Sequence, residues 1–235
     1  MSMLLRGAPA AAALNEKTAQ LVSELREKGI VPTLAIVRLG AREDDLSYER
    51  GAVKRCAAVG IETRCVSLPA DISGEKLEKM LRSLSAEETV HGILLLRPLP
   101  PALEETRILR AIAPEKDVDG ATEASLATVY AGTGEGFAPC TAQAVLELLD
   151  YYEIPIEGKR AVILGRSLVV GRPAAMLLLH RGATVTLCRR RAHHGGTGRA
   201  HGKSRGAPDK INSKNQKTHD RVGVKRCSGR DSGQC

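Results

Sequence analysis

Short apolar runs alternate with amphipathic stretches along the first 188 residues. Five segments have the length and composition of β-strands, and the first of them, 33–40, has those of a strand that is buried in a sheet. They are the segments 33–40, 62–68, 91–100, 160–164 and 183–188, and the third of them ends in a proline-stiffened loop. The pattern therefore predicts five strands that are separated by helical segments.

The stretches between these runs carry apolar residues at helical spacing. In the first stretch Leu14, Leu21 and Leu25 recur on one helical face, and Gly29 ends the pattern. Further helices are predicted over 45–59, 74–84 with Ser73 as N-cap, 102–112, from Thr141 to about Glu153, and 171–181. Strands that alternate with helices predict an α/β fold with a parallel sheet.

Composition changes this picture only at the C-terminal end. The net charge is +8, but residues 189–235 carry 13 Lys and Arg against 3 Asp and Glu, which leaves residues 1–188 at −2. The same segment contains no Leu, Phe, Tyr, Trp or Met, so it cannot bury enough apolar surface to offset chain entropy. We predict that residues 1–188 fold and that 189–235 form a disordered basic tail.

Cysteine usage and the N-terminal residues favour a cytoplasmic protein. The six cysteines are scattered without a C-x-x-C pair, which is typical of reduced, mostly buried thiols. Arg6 and Pro9 interrupt the apolar start of the chain, so it does not match a signal peptide. No stretch approaches the roughly 18 apolar residues of a membrane span, and we expect no membrane contact.

The stretch VILGRSLVVGRPAAMLLL, residues 162–179, is an apolar strand followed by a glycine-containing turn and a helix. Gly165 and Gly171 would let the backbone approach a pyrophosphate at the helix N-terminus, with charge from Arg166 and a hydroxyl from Ser167. A plain strand–helix turn is the alternative, because the stretch lacks the strict G-x-G-x-x-G pattern. Taken alone, the motif leaves both interpretations open.

Six stretches follow one another in a specific order: PTLAIVRLG, the Tyr48 helix that ends in KRCAAVGI, HGILLLRPLP, PEKDVDG, APCT and VILGRSLVVGRPAAMLLLHRGATVTLC. Together they resemble the methylenetetrahydrofolate dehydrogenase/cyclohydrolase family over roughly residues 3–188. The resemblance implies a two-lobed α/β protein with folate in the cleft and NADP, or alternatively NAD, on the second lobe. It implies oxidation of methylenetetrahydrofolate to the methenyl form, usually followed by hydrolysis, in a homodimer.

The resemblance also implies a division of the chain and a set of site residues. Residues 1–141 would form the folate-binding catalytic lobe, and 142–188 would begin a Rossmann-like lobe for NADP. Tyr48 would orient the reacting end of the folate, and Asp119 would accept hydrogen bonds from the pterin. Pro98 and Pro100 would stiffen the cleft wall, whereas Lys116 and Asp117 would fix the loop before Asp119. Gly165, Arg166, Ser167 and Gly171 would hold the cofactor. Apart from the resemblance, the run 189–191 with Arg190 at its centre has the charge to meet a 2′-phosphate, and a basic disordered run is the alternative.

The chain departs from the family pattern at two chemically important positions. The family has a lysine four residues after its tyrosine, where this chain has Ala52, and a glutamine where it has Leu96, followed by Arg97. Lys54 lies about 200° around the helix from Ala52, and Arg55 shares the face of Tyr48 but is a poor proton shuttle. Hydride transfer mainly requires that the folate and the nicotinamide cofactor are oriented relative to each other, whereas hydrolysis requires a water molecule that is activated as a nucleophile. The departures favour dehydrogenase over cyclohydrolase chemistry, with Arg97 as the first candidate for the lost catalytic role.

After Cys188 the family pattern stops, and its remaining strands and P-G-G-V-G-P segment are missing. We expect a reading-frame change or truncated gene at this point, leaving a sheet with an open edge and an exposed apolar face.

Two alternative functions remain open from the sequence. One alternative is an inactive folate-binding remnant. Another is a nucleic-acid-binding protein that acts through the tail, but the tail has no aromatic residue for base stacking, so only non-specific binding is expected. The tail histidines and Cys227 match no zinc-site spacing, and no metal is expected.

Overall fold

A computed structural model of the chain describes residues 4–134, 136–188 and the backbone of 221–223. The helices are α1 (Gly7–Glu27), α2 (Glu43–Ala58), α3 (Gly74–Ala86), α4 (Glu105–Leu109), α5 (Glu123–Ala131), α6 (Cys140–Tyr151) and α7 (Gly171–His180). The strands are β1 (Thr33–Leu39), β2 (Glu62–Leu68), β3 (Gly92–Leu95), β4 (Arg160–Leu164), β5 (Thr184–Cys188) and β6 (Arg221–Gly223). A 3₁₀ turn at Pro114–Lys116 precedes α5.

The first sheet contains three parallel strands in the order β2-β1-β3. Its central strand is completely covered, since Ala35, Ile36 and Val37 have no exposed surface. On one side α3 contributes Leu77, Leu81 and Leu84 to the core. A parallel strand that is buried on both faces reads as a continuous apolar run, and the prediction of an α/β fold with a parallel sheet is confirmed.

The second sheet has the order β5-β4-β6, with β5 parallel and β6 antiparallel to β4. Ile163 of β4 packs with α6 and α7 in a second core. The alternate positions Val162 and Leu164 are 46% and 52% exposed, as expected for a sheet with one uncovered apolar face. Residues 189–235 were predicted to be disordered, but Arg221–Gly223 form the strand β6 within this segment. The rest of the segment lies outside the described residues.

Two helix predictions were inaccurate. The helix predicted over 102–112 is reduced to α4, five residues long. The helix α5 was not predicted, because its sequence EASLATVYA has little polar contrast between its faces. The two ends of α5 carry residue types that are typical of helix caps. The Thr122 hydroxyl accepts from the Ser125 amide at 3.1 Å, and Gly132 ends the helix with φ of 71°.

The described cysteines are more exposed than their sequence context suggests. Cys65 and Cys140 are exposed, and Cys56 and Cys188 are partly buried, so the prediction of mostly buried thiols is wrong for these four. Among the described residues, every helix is too short or too polar to cross a bilayer. The division of the chain at residue 141, next to the start of α6, stays a prediction.

Candidate active site

A cleft of about 570 Å³ opens where the chain leaves β3 and passes the first turns of α2. Four of the residues that sequence analysis assigns to the substrate or to catalysis line it together: Tyr48, Arg97, Pro98 and Asp119. The remaining lining residues are Arg42, Asp44, Asp45, Leu94, Leu95 and Leu96. Pro100 is not among them; its carbonyl accepts the Leu103 amide at 2.9 Å, which makes it part of the turn behind the cleft wall.

Tyr48 presents its phenol to this cleft from the second turn of α2, with about half of the residue exposed. Partial burial and the negative charge of Asp119 raise the pKa of Tyr48, and the charge of Arg55 opposes them. The phenol is therefore protonated at neutral pH. It can donate one hydrogen bond to a ligand in the cleft and accept others.

The first turn of α2 carries an ion pair that sequence analysis did not assign to the site. The Arg42 guanidinium donates to both carboxylate oxygens of Asp45 at 2.8 and 2.7 Å. The hydrogen bond to Asp45 raises the pKa of Arg42, against a smaller effect of burial. Acidic residues at a helix N-terminus interact favourably with the helix dipole. The run Glu43, Asp44, Asp45 therefore marks the start of α2 in the sequence.

Arg97 connects two carboxylates from different parts of the chain. Its Nη2 donates to Asp119 Oδ2 at 2.8 Å and its Nη1 to Glu105 Oε1 at 3.1 Å. Burial lowers the pKa of Arg97, but the hydrogen bonds and charges of Asp119 and Glu105 together raise it above its ordinary value. Glu105 was not predicted as a site residue; it lies five residues after the stretch HGILLLRPLP, which ends at Pro100, and begins the short helix α4.

The loop that carries Asp119 is held by groups outside the cleft. The carboxylate of Asp117, 1% exposed, accepts from the amides of Ala121 and Thr122 at 3.1 and 2.8 Å and from the Ser125 hydroxyl at 2.7 Å. The Lys116 ammonium donates to the Glu87 carbonyl at 2.7 Å. Both side chains therefore stabilise the loop, which is the role that sequence analysis expects of them.

Ala52 and Leu96, the two departures from the family pattern, are neighbours in space. Each is 8% exposed, and both belong to one small apolar cluster with the fully buried Ile36, here called the floor cluster. Leu96 also lines the cleft. The place where the resemblance expects an ammonium and an amide is therefore occupied by three side chains that neither donate nor accept protons.

The charged residues near this cluster do not fill the gap. Lys54 and Arg55 are both exposed. The Arg55 guanidinium lies back over the helix, because a Cβ placed on Gly51 would be 3.4 Å from its Nη2. This position agrees with the influence of Arg55 on the pKa of Tyr48. A guanidinium supplies fixed charge there and carries no proton to or from water.

The predicted cofactor turn follows the carboxyl end of β4, as expected. Gly165 has φ of 133°, and a Cβ on Gly171 would lie 2.2 Å from the Gly165 carbonyl oxygen, so a side chain at residue 171 would displace the turn. The Ser167 hydroxyl accepts from the amides of Val170 and Gly171 at 3.2 and 3.3 Å. The Ser167 carbonyl accepts from the Arg172 amide at 3.0 Å.

The first amides of α7 have acceptors within the turn, since those of Val170, Gly171 and Arg172 all bond to Ser167. The amides of Arg166, Leu168 and Val169 have no acceptor among the described residues, and the Arg166 side chain is exposed. The turn therefore fits an anionic group at its outer amides and at Arg166. Arg190 lies outside the described residues.

Comparison with known proteins gives the same order of regions. The family description "Tetrahydrofolate dehydrogenase/cyclohydrolase, catalytic domain" matches residues 5–119, and its "NAD(P)-binding domain" matches 139–200. The Bifunctional protein FolD of Alkaliphilus oremlandii is 50% identical over 191 residues, which are 81% of this chain and 67% of that protein. The FolD of Carboxydothermus hydrogenoformans is 51% identical over the same shares.

Solved structures agree with these sequence relatives. The bifunctional enzyme FolD, methylenetetrahydrofolate dehydrogenase/cyclohydrolase, of Campylobacter jejuni superposes with a TM-score of 0.78 at 36% identity, covering 81% of this chain and 68% of its own. The Trypanosoma brucei enzyme, complexed with NADP cofactor and inhibitor, has a TM-score of 0.73 at 36% identity, covering 80% and 64%. The chain thus spans about two thirds of the length of such proteins.

Proposed function

The chain belongs to the tetrahydrofolate dehydrogenase/cyclohydrolase family, and we propose that its cleft retains the dehydrogenase half of that chemistry. The reaction is the NADP-dependent oxidation of methylenetetrahydrofolate to methenyltetrahydrofolate in one-carbon metabolism. The observation that carries the proposal is the meeting of Tyr48, Arg97 and Asp119 in one cleft of about 570 Å³.

Each of these side chains has a task that suits hydride transfer. The Tyr48 hydroxyl donates to the reacting end of the folate, while the Asp119 carboxylate accepts from the N–H groups of the pterin. Pro98 forms the wall, with Pro100 behind it in the turn. Arg97 supplies fixed positive charge beside Asp119. The reaction asks the protein to orient two bound molecules, and none of these groups has to carry a proton.

The floor cluster supports loss or strong reduction of the cyclohydrolase half. Attack of water on the methenyl carbon requires removal of a proton from that water. Ala52, Leu96 and Ile36 offer no group for this step. Arg97 follows Leu96 directly in the chain, but its guanidinium stays protonated and is paired with two carboxylates.

We assign the cofactor to the turn after β4. Gly165 and Gly171 allow the close approach, the outer turn amides and Arg166 meet the pyrophosphate, and Ser167 keeps the turn in shape. NADP supplies the hydride acceptor when it is bound, with NAD as the alternative cofactor. We further propose that the intact form acts as a cytoplasmic homodimer, and that the chain divides at about residue 141 into a folate lobe and a cofactor lobe.

Absorbance of the methenyl product tests the proposal directly. Purified chain is incubated with methylenetetrahydrofolate and NADP, then with NAD, and formation of methenyltetrahydrofolate is followed. We expect formation that depends on NADP, and slow hydrolysis when methenyltetrahydrofolate is supplied alone. Folate binding without turnover would instead identify an inactive remnant, and rapid hydrolysis would contradict the assignment of the floor cluster.

A further inference from the structure

Asp119 lies in a loop whose backbone is fixed on both sides of it. The carbonyl of Val118 accepts the Cys140 thiol at 3.1 Å. Gly120 has φ of 60° and packs so tightly that a Cβ there would lie 2.5 Å from the Ala138 carbonyl carbon. The freedom that remains is the direction of the Asp119 carboxylate, whose side chain is 29% exposed toward the cleft.

Arg97 determines that direction through one oxygen. Its Nη2 binds Asp119 Oδ2, whereas Oδ1 accepts no hydrogen bond from the described residues. A carboxylate oxygen has two acceptor positions, so Asp119 keeps capacity for a ligand after pairing with Arg97. The pair is charge-assisted and mostly shielded from water, with the Arg97 side chain 22% exposed.

Glu105 holds the other end of the same guanidinium. It is the first residue of α4, so its backbone is anchored in a helix, and Oε1 accepts Nη1 of Arg97 at 3.1 Å. The family motif has a leucine at residue 97, so both ion pairs of Arg97 depend on a departure of this chain from that motif.

We propose that Glu105, Arg97 and Asp119 act as an ion-pair relay, in which Glu105 aims Arg97 and Arg97 aims the Asp119 carboxylate at the amino-substituted ring of the folate. This inference rests on the proposed function, since it needs a folate in the cleft. Arg97 and Glu105 are positioning residues for substrate recognition. Because a carboxylate that is ordered before binding loses less freedom on binding, the relay should improve folate affinity by about tenfold.

The test measures the affinity of the full 235-residue chain for tetrahydrofolate by isothermal titration calorimetry. Arg97→Leu, the family's own residue, is expected to raise the Kd about tenfold, and Glu105→Gln about two- to threefold. Because both act through Asp119, the double variant Arg97→Leu with Asp119→Asn should bind no more weakly than Asp119→Asn alone. In the oxidation assay, Arg97→Leu should raise KM with little change in kcat.

Controls separate a positioning role from a general structural one. Arg110→Leu removes a more exposed arginine–carboxylate pair, with Glu123 at 2.9 Å, that does not line the cleft, and it should leave the Kd unchanged. Arg97→Lys keeps the positive charge, so its Kd for tetrahydrofolate should lie between those of the unsubstituted chain and Arg97→Leu. If Arg97→Leu fails to fold, Arg97→Lys and Glu105→Gln still carry the test.

Each adverse result has its own meaning. An unchanged Kd for Arg97→Leu would overturn the relay. Tighter binding by this variant would also overturn it, and would show that Arg97 competes with the ligand for Asp119. Additive losses in the double variant would show that Arg97 acts independently of Asp119. Failure of the unsubstituted chain to bind tetrahydrofolate would overturn the proposed folate site, and the relay with it.

Discussion

The two sheets differ in how completely they are covered. In the first, β1 is buried on both faces, and Ala35, Ile36 and Val37 have no exposed surface. In the second, the described helices pack against one face of β4, and Val162 and Leu164 are about half exposed on the other. The Tyr48 cleft therefore lies beside a strand that is buried on both faces, whereas the Gly165–Gly171 turn follows a strand that the described residues cover on one face.

The polar groups of the two regions differ in how many of them have hydrogen-bond partners. In the cleft, Arg42 and Arg97 already hold Asp45 and Asp119. In the turn, the outer amides of Leu168 and Val169 have no acceptor among the described residues. The comparison teaches that the charged groups of the cleft are already paired with one another, while the turn keeps amides without an acceptor among the described residues. The predictions below test this difference.

The largest expected effect concerns the floor cluster. Ala52→Lys together with Leu96→Gln should raise hydrolysis of methenyltetrahydrofolate by about 10²–10⁴, the usual range for general acid–base help, with a smaller change in oxidation. Hydrolysis is followed without cofactor, so it reports on the cleft alone. Ala57→Lys, on an exposed position of α2, should raise neither activity.

Two results would contradict this prediction. Equal gains in both activities would show that the substitutions improve folate binding in general. Rapid hydrolysis before substitution would show that another residue has taken over the role, with Arg97 first to be tested.

The second prediction compares the two cores directly. Leu77→Ala removes a fully buried side chain of the first core, and the free energy of unfolding should fall by about 2–5 kcal/mol. Leu164→Ala removes a side chain that is 52% exposed on the second sheet, and the change should stay within about 0.5 kcal/mol. Urea denaturation measures both. A similar loss for the two variants would mean that the outer face of β4 is covered in solution.

The third prediction concerns the cofactor turn. Gly171→Ala places a Cβ 2.2 Å from the Gly165 carbonyl oxygen, so the turn must shift. Overpacking of this kind costs about 1–3 kcal/mol, and if that cost falls on the cofactor-bound turn it corresponds to roughly a 5- to 150-fold loss of NADP affinity. Tetrahydrofolate affinity should be unchanged. Gly74→Ala is the matched control, because its nearest contacts would be at an ordinary 3.8 Å; unaltered NADP binding by Gly171→Ala would place the cofactor elsewhere.

The smallest expected effect is an acid dependence of the second core. Arg181 binds both oxygens of Asp150 at 3.0 and 2.8 Å, and this hydrogen bonding lowers the pKa of Asp150 below 3.8. The pair stabilises the fold above the unfolded-state pKa, and that contribution is lost as pH falls through the lower, folded-state pKa. An exposed pair contributes about 0.2–1 kcal/mol. Thermal unfolding of Asp150→Asn should show a shallower decline below pH 4 than the unsubstituted chain, and identical declines would contradict the assignment.

Local pattern was enough to predict most of the secondary structure. The runs at 33–40, 62–68 and 160–164 became β1, β2 and β4. The first is apolar at most positions because β1 is buried on both faces, whereas β2 and β4 are more exposed and were recognised from their length and their place between helices. The Ser73 cap formed as predicted, with its hydroxyl accepting the Lys76 amide, because a cap is a contact between near neighbours in sequence. The helix α5 was missed because its faces differ little in polarity, so periodicity gave no signal.

The site shows where sequence reasoning ends. The spacing of Tyr48 and Asp119 within their motifs identified two members of the cleft, and the departures at Ala52 and Leu96 were visible against the family pattern. That Ala52 and Leu96 touch the same buried Ile36 was not visible, since these residues lie on different elements. Only packing converts two separate substitutions into one apolar floor.

What the sequence by itself determined is the order of strands and helices, the family, and the residue types available for chemistry. These follow from the periodicity of burial and from motifs whose members are close along the chain. Only the tertiary structure decided that Glu105 and Asp119 share one guanidinium, and that the Ser167 hydroxyl is engaged in its own turn. A hydrogen bond depends on distances of about 3 Å between atoms, and for residues on separate elements those distances are set by how the helices and strands pack.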